Sequence, residues 1–202
     1  MSTSLHTKEM SEIRILERVS LPVPGADEAE FVLFSGEHFA LIYPQINSEE
    51  VPLVRLHSEC LTGDVAGSLR CDCGEQLNEA KRKLAKEGGY LLYLRQEGRG
   101  HGLLNKLKSY NIQKEQGLDT FEAGNILGHA EDVRDYACAA EMLKLLGVDR
   151  IRLLTNNPDK AEQLKRYGCD VVKSVQTEVF KNPHNERYLK AKKDKGHLIK
   201  GF

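Results

Sequence analysis

The spacing of apolar residues changes once along this chain of 202 residues, and that change limits the folds open to it. Up to about residue 58 the apolar positions tend to alternate. Ile13–Val23, Glu30–Phe34, Phe39–Tyr43 and Pro52–His57 read as strands, and Ser35-Gly-Glu-His38 as a hairpin turn. From Gln76 the period becomes helical. Leu77, Ala80, Leu84 and Ala85 share one face of a helix that Gly88-Gly89 ends near Glu87. A short strand at Tyr90–Leu94 and a helix at 103–116 follow, then an irregular stretch at 119–131 and a helix at 132–146. Ile151–Thr155 reads as a strand, and Pro158 suits the first position of the next helix. A short strand at Val171-Val172 and a last helix opening at Asn182-Pro-His184 complete the pattern. The expectation is an α+β fold, with an α/β-type half packed on a mostly antiparallel β half. It forms one domain over residues 1–202, with 1–11 and 193–202 flexible.

At the junction of the two patterns lies Cys60-Leu-Thr-Gly-Asp-Val-Ala-Gly-Ser-Leu-Arg-Cys71-Asp-Cys73-Gly, holding three of the five cysteines. Cys71 and Cys73, two positions apart, can bring both sulfurs to one point only through a bend of the chain, which Gly63, Gly67 and Gly74 favour. Three converging thiolates are a soft anionic set suited to zinc, and three ligands leave a fourth position open, as in catalytic centres. A loop of unreactive thiols has the same spacing, so the neighbouring stretches must decide. An odd, clustered cysteine count suits a reducing compartment better than a disulfide framework. Cys138 and Cys169 read as core residues, and His57, His101 and His129 as polar loop residues or a fourth ligand.

Arg95-Gln-Glu-Gly-Arg-Gly-His-Gly102 links a strand to a helix and can present backbone N–H groups to an anion, with neither dinucleotide-binding nor Walker spacing. Arg55, Arg95, Arg99, Thr155 and Lys160 lie at strand ends or in such loops, where α/β sheets bind ligands; together they point to a polyphosphate with magnesium. The net charge of −1 does not indicate nucleic acid as partner, although residues 181–200 are basic. No apolar run approaches the roughly 20 residues of a membrane helix, and the first ten residues hold no signal-peptide core. A cytoplasmic protein without a membrane partner is expected.

These stretches together resemble the GTP cyclohydrolase II family. The resemblance rests on Arg55-Leu-His-Ser-Glu-Cys-Leu-Thr-Gly-Asp64, Leu69-Arg-Cys-Asp-Cys-Gly74, Arg95-Gln-Glu-Gly-Arg99, Gly102-Leu-Leu-Asn-Lys106, Asp132-Val-Arg-Asp-Tyr136 and Leu154-Thr-Asn-Asn-Pro158. It implies a homodimer of stand-alone form that hydrolyses GTP to 2,5-diamino-6-ribosylamino-4(3H)-pyrimidinone 5′-phosphate, formate and pyrophosphate, the first step of riboflavin biosynthesis. It implies one zinc ion per chain on Cys60, Cys71 and Cys73, and magnesium on the triphosphate. GTP contacts are implied at Arg55, Leu56, His57, Ser58, Glu59, Gln76, Glu97, Gly98, Arg99, Thr120, Thr155 and Lys160. Tyr110 falls at the tyrosine near the guanine, Asp132 at the proton acceptor and Arg134 at the residue assigned as nucleophile. A guanidinium stays protonated near neutral pH, so electrostatic stabilisation at Arg134 is at least as good a reading. Three departures stand out: the glycine in Glu122-Ala-Gly124-Asn125, and His101 and His129 at usually apolar or aromatic positions. They leave open a variant that stops at a formamidopyrimidine product, while Tyr110 favours the complete reaction. A catalytically silent zinc-and-nucleotide-binding protein and a zinc-containing nucleic-acid binder are the competing classes.

Overall fold

The computed structural model describes residues 12–47, 49–118, 120–129 and 132–199. Among these residues seven strands form one mixed sheet in the order β1-β2-β3-β5-β4-β6-β7. They are β1 Ile15–Ser20, β2 Glu30–Phe34, β3 Phe39–Tyr43, β4 Leu53–Ser58, β5 Gly89–Leu94, β6 Arg150–Leu154 and β7 Asp170–Val175. Strands β1, β2, β3 and β5 pair antiparallel, as the alternating N-terminal pattern requires. Strand β5 then pairs parallel with β4, which continues parallel to β6 and on to β7. The antiparallel and α/β halves therefore join edge to edge through β5 within one sheet. Strand β4, expected in the antiparallel part, lies in the parallel one.

Among the described residues seven α-helices accompany the sheet: α1 Leu61–Asp64, α2 Cys73–Glu87, α3 Gly102–Gln116, α4 Thr120–Ile126, α5 Ala137–Leu145, α6 Pro158–Arg166 and α7 Glu186–Asp194. Two apolar clusters fill the two sides of the sheet. Val54, Leu56, Leu92 and Leu94 pack with Ala139, Met142 and Leu143 of α5 and Leu164 of α6. Leu53, Leu91 and Leu154 pack with Leu77, Ala80 and Leu84 of α2. The two-residue period of β4 turns Arg55 and His57 to the same side as Leu53, toward α2. The carboxyl ends of the parallel strands β4, β5 and β6 share one edge, with helices crossing on both faces. That is where open α/β sheets form ligand crevices.

Three expectations about elements are corrected. Helix α5 begins at Ala137 rather than at residue 132. Side chains capture the N–H groups that a longer helix would leave open: Asp135 Oδ1 accepts from Ala137 (2.8 Å), Gln163 Oε1 from Tyr136 (3.1 Å) and Asp132 Oδ1 from Arg134 (3.2 Å). Within the stretch expected to be irregular, Thr120–Ile126 is helical. Helix α2 starts at Cys73, three residues early, so Cys73 stands on its first turn. At the C-terminal end the chain continues α7 to Asp194. It then returns to the sheet edge, where the Leu198 N–H donates to the Asn156 carbonyl (2.8 Å). The expectation for residues 1–11 lies outside the described residues.

Candidate metal centre and adjoining pocket

Strand β4 ends at Ser58, and two residues later Cys60 precedes α1; Cys71 sits in the bend before α2 and Cys73 begins it. The three sulfurs lie within 4.8 Å of one another, with Cys60 Sγ and Cys71 Sγ 3.7 Å apart. Zinc–sulfur bonds of about 2.3 Å at tetrahedral angles set their sulfurs about 3.8 Å apart, so the trio fits a zinc ion. Gly67 takes a left-handed backbone (φ 64°) in open space, as a turn requires, whereas Gly63 and Gly74 serve close approach. A Cβ on Gly63 would stand 3.0 Å from Cys71 Sγ and 3.2 Å from Cys60 Sγ, and one on Gly74 only 2.4 Å from the Gly63 carbonyl oxygen. Among the described residues no histidine or carboxylate joins this group. His57 Nε2 faces Asp64, and His101 stacks on His129 with ring centroids 4.6 Å apart. None of the five cysteines is in a disulfide.

The trio's electrostatics favour cation uptake. Hydrogen bonds from Cys71 and Cys73 hold the Cys60 thiol far below its usual range, with Lys106 assisting. The same Cys60 contact pushes Cys71 up to about 11 and Cys73 well above normal. The three sulfurs thus share their protons closely, and a divalent cation would displace them. By contrast, burial pushes Cys169 up to about 11 and leaves it an inert core thiol. Cys138 is half-buried and accepts from the Gln96 amide (3.6 Å).

Asp64 braces the trio from beneath. Its carboxylate faces His57 Nε2 (3.0 Å) and accepts from the Cys60 N–H (3.0 Å) and the Tyr93 hydroxyl (2.8 Å). Burial holds His57 below its usual value despite Asp64, so its ring is neutral; its Nδ1 has no partner among the described residues. Glu97 is buried, and its carboxylate accepts from the Leu61 N–H (2.7 Å), the Gly98 N–H (2.7 Å) and the Lys106 ammonium (2.9 Å). The N–H of Gly98 is therefore turned to a side chain rather than to a ligand. Arg99 holds a left-handed backbone (φ 60°), a strained state for a non-glycine residue.

Two cavities open beside the sulfurs, of about 330 Å³ and about 420 Å³, sharing Ser58, Cys73, Arg99, Arg134, Tyr188 and Lys195 as common walls. The first holds Glu59, Cys60, Cys71, Glu97, Gly98 and Tyr110, together with all three departures from the family pattern, His101, Gly124 and His129. Burial raises the Tyr110 hydroxyl's pKa, so it stays protonated; it lies 3.5 Å from Thr62 Oγ1, and the Arg70 guanidinium covers its ring at 4.5 Å. Thr120 opens α4, whose Gly124 and Asn125 line this first cavity.

The second cavity is cationic. It holds Arg55, His57, Gln76, Asp132, Thr155, Lys160 and Lys192. Arg55 is only 5% exposed, and its guanidinium donates to the Leu154 carbonyl (3.1 Å) and Gln76 Oε1 (2.9 Å), with Nε unpartnered among the described residues. Lys160 is likewise buried and donates to the Leu56 carbonyl (2.7 Å); burial and then Arg55 and Arg134 force it well below the usual lysine value. Cations crowded in this way with so few carboxylates call for an anionic ligand. Thr155 accepts from the Asn157 N–H (3.0 Å) at the α6 entrance, where Asn157 caps the Asp159 N–H (3.1 Å). Leu56 does not face either cavity, because its side chain is wholly in the core and its carbonyl meets Lys160. Asp132 and Arg134 pair through two contacts, Nε to Oδ1 at 2.7 Å and Nη2 to Oδ2. Burial alone would raise Asp132, but Arg134 keeps it ionised; burial would lower Arg134, but Asp132 holds it more firmly protonated.

Asp64, Asp72, Arg70, Lys106, Tyr188 and Lys192 were not identified from sequence as site residues. Asp72, between two of the cysteines, accepts from Gln76 (2.7 Å) and from Lys192 of α7 (3.0 Å). Position beside the cysteines could have flagged Asp64, Arg70 and Asp72; nothing local marks Tyr188 or Lys192.

Comparison with known proteins matches residues 14–176 to the family described as GTP cyclohydrolase II. A protein of Vibrio vulnificus (strain CMCP6) named GTP cyclohydrolase-2 is 48% identical over 198 residues, 95% of this chain and 100% of the relative. One of Hahella chejuensis (strain KCTC 2396) with the same name is 56% identical over 165 residues, 81% of this chain and 79% of the relative. A protein of Phocaeicola vulgatus (strain ATCC 8482) named Riboflavin biosynthesis protein RibBA is 52% identical over 165 residues, which are 81% of this chain and 41% of that protein.

Proposed function

Because the chain belongs to the GTP cyclohydrolase II family, we propose that its double cavity binds GTP and that the three-cysteine centre carries zinc for opening the guanine ring. One observation carries this reading: three sulfurs within 4.8 Å of one another line a cavity holding Tyr110, and one of the three residues, Cys73, also lines a second cavity rich in cations. The base enters the first cavity and the triphosphate, with magnesium, the second. The products are 2,5-diamino-6-ribosylamino-4(3H)-pyrimidinone 5′-phosphate, formate and pyrophosphate, so the chain performs the first step of riboflavin biosynthesis.

Cys60, Cys71 and Cys73 would hold the zinc, one ion per chain, which supplies Lewis-acid activation of water for attack at guanine carbon 8. Asp132, kept ionised by Arg134, accepts a proton. Arg55, Lys160 and the α6 entrance at Thr155 hold phosphate oxygens through charge-assisted hydrogen bonds. Arg134, held protonated, acts on the α-phosphate as a charge clamp rather than as a nucleophile. Gln76 fixes the Arg55 guanidinium, and Asp64 fixes His57. Exposed Leu61, Val65 and Leu69 near α1 and Leu104 and Leu107 on α3 support a homodimer. No helix among the described residues is long and apolar enough to cross a membrane, in keeping with a cytoplasmic enzyme.

Incubating the protein with GTP, zinc and magnesium tests this reading, with equimolar formate and pyrophosphate expected; pyrophosphate and formate both absent would refute it. A second reading has its own support, since His101, Gly124 and His129 gather in the Tyr110 cavity. A reaction ending at the formamidopyrimidine would yield pyrophosphate without formate. In the complete enzyme Tyr110→Phe is expected to produce that same intermediate product.

A further inference from the structure

Lys106 belongs to a stretch matched to the family and has no part among the zinc ligands or the expected GTP contacts. It stands on α3, one helical turn before Tyr110, with its ammonium 3.1 Å from Cys60 Sγ. A second contact aims it: Glu97 Oε1 accepts from the same ammonium at 2.9 Å. Glu97 is anchored in turn by the Leu61 N–H, next to Cys60, and by the Gly98 N–H. The loop after β5, helix α3 and the start of α1 therefore converge on one sulfur through a single lysine.

Charge explains why a cation belongs there. Three thiolates and one divalent cation sum to a charge of −1. Two of these sulfurs belong to residues no more than 8% exposed. An anionic centre so poorly solvated is costly unless a cation sits against it. A protonated amine at 3.1 Å meets that need and also draws electron density from the sulfur. Hydrogen-bonding partners behind metal ligands set both ligand orientation and metal affinity.

We propose that Lys106 is a positioning residue of the metal centre: its ammonium holds Cys60 in place and neutralises the charge of the loaded trio. This rests on the zinc reading of the three cysteines. Lys106 acts through Cys60 rather than on the substrate, and Glu97 acts through Lys106.

The test compares wild type, Lys106→Met and Lys106→Arg as zinc-loaded proteins, measuring zinc content, the rate of zinc transfer to a chromogenic chelator, and KM and kcat for GTP. The cobalt-substituted forms supply the sulfur-to-cobalt charge-transfer band. Lys106→Met is expected to release zinc about tenfold faster or more. Its cobalt band moves to longer wavelength, because a sulfur that has lost its hydrogen bond gives up an electron more easily. Lys106→Arg restores both values most of the way. Should Lys106→Met not fold, Lys106→Gln, which keeps a donor but no charge, takes its place with the same expected direction. A zinc-replete Lys106→Met or Lys106→Gln with wild-type release rate and cobalt band, and only a raised KM, would make Lys106 a substrate contact and overturn this inference alone. Wild-type protein that neither retains nor takes up zinc would overturn the metal reading and this inference together.

Discussion

Replacing Asp64 by Asn keeps the side chain's shape and removes the charge on which three neighbours converge. The carboxylate is 3% exposed and holds His57 Nε2, the Tyr93 hydroxyl and the Cys60 N–H, all at 2.8–3.0 Å. Hydrogen bonds to a charged acceptor contribute about 1.5–3 kcal/mol and neutral ones about 0.5–1.5, so neutralisation costs about 1 kcal/mol for each of the three. The new amide also turns an N–H toward His57 Nε2, which must then accept. That moves the ring proton to Nδ1, which has no partner among the described residues. Relief of the buried charge beside the Cys60 thiolate offsets part of this, leaving about 3 kcal/mol of net destabilisation. At about 2–4 °C per kcal/mol for a chain of this size, Tm should fall by about 6–12 °C. Thermal unfolding of zinc-loaded wild type and variant near neutral pH measures the fall, and nitrogen NMR of His57 reads the tautomer. A Tm shift below about 2 °C with the Nε2–H tautomer retained would refute the reasoning that Asp64 organises this corner.

Arg134→Lys keeps a positive charge but loses the fork that grips Asp132, and its turnover should drop by roughly 10²–10³-fold. Quenching a single turnover with α-labelled GTP should leave no label on the protein, and a stable adduct at Arg134 would restore the nucleophile reading. Burial, then the charges of Lys192, Arg134 and Lys160, lowers His197 from 6.5 to about 4. The unfolded chain therefore binds more protons than the folded one between those values. Stability is full above about 6.5 and is lost as pH falls toward about 4. In metal-free, reduced protein His197→Gln should flatten the stability profile within that window, and an unaltered profile would remove His197 from the explanation.

The locally encoded parts of the fold were legible. The β2–β3 hairpin follows from alternation around a glycine turn, and α6 begins at Pro158 with Asn157 as its cap. The partner of β4 was not legible, because period-two patterning says which face is buried but not which edge is met. The start of α5 was misread because Asp132, Asp135 and the distant Gln163 divert its first N–H groups. The cysteines were legible because chemistry and spacing coincide within fourteen residues. Their support was not: Lys106 reaches Cys60 across 46 positions, and Lys192 reaches Asp72 across 120. Glu97 illustrates a subtler limit, since a loop carboxylate beside glycines reads as a ligand contact until its three protein donors are seen.

Formate release measured against zinc content is the most direct test of the central claim, that the Cys60, Cys71 and Cys73 centre opens the ring. Metal-depleted wild type, kept reduced and supplied with GTP and magnesium, is titrated with zinc. Formate production should rise linearly and level off at one zinc per chain, while Cys71→Ser given the same zinc stays near zero. Formate released at the full rate by metal-depleted protein, or by Cys71→Ser with no bound zinc, would contradict it.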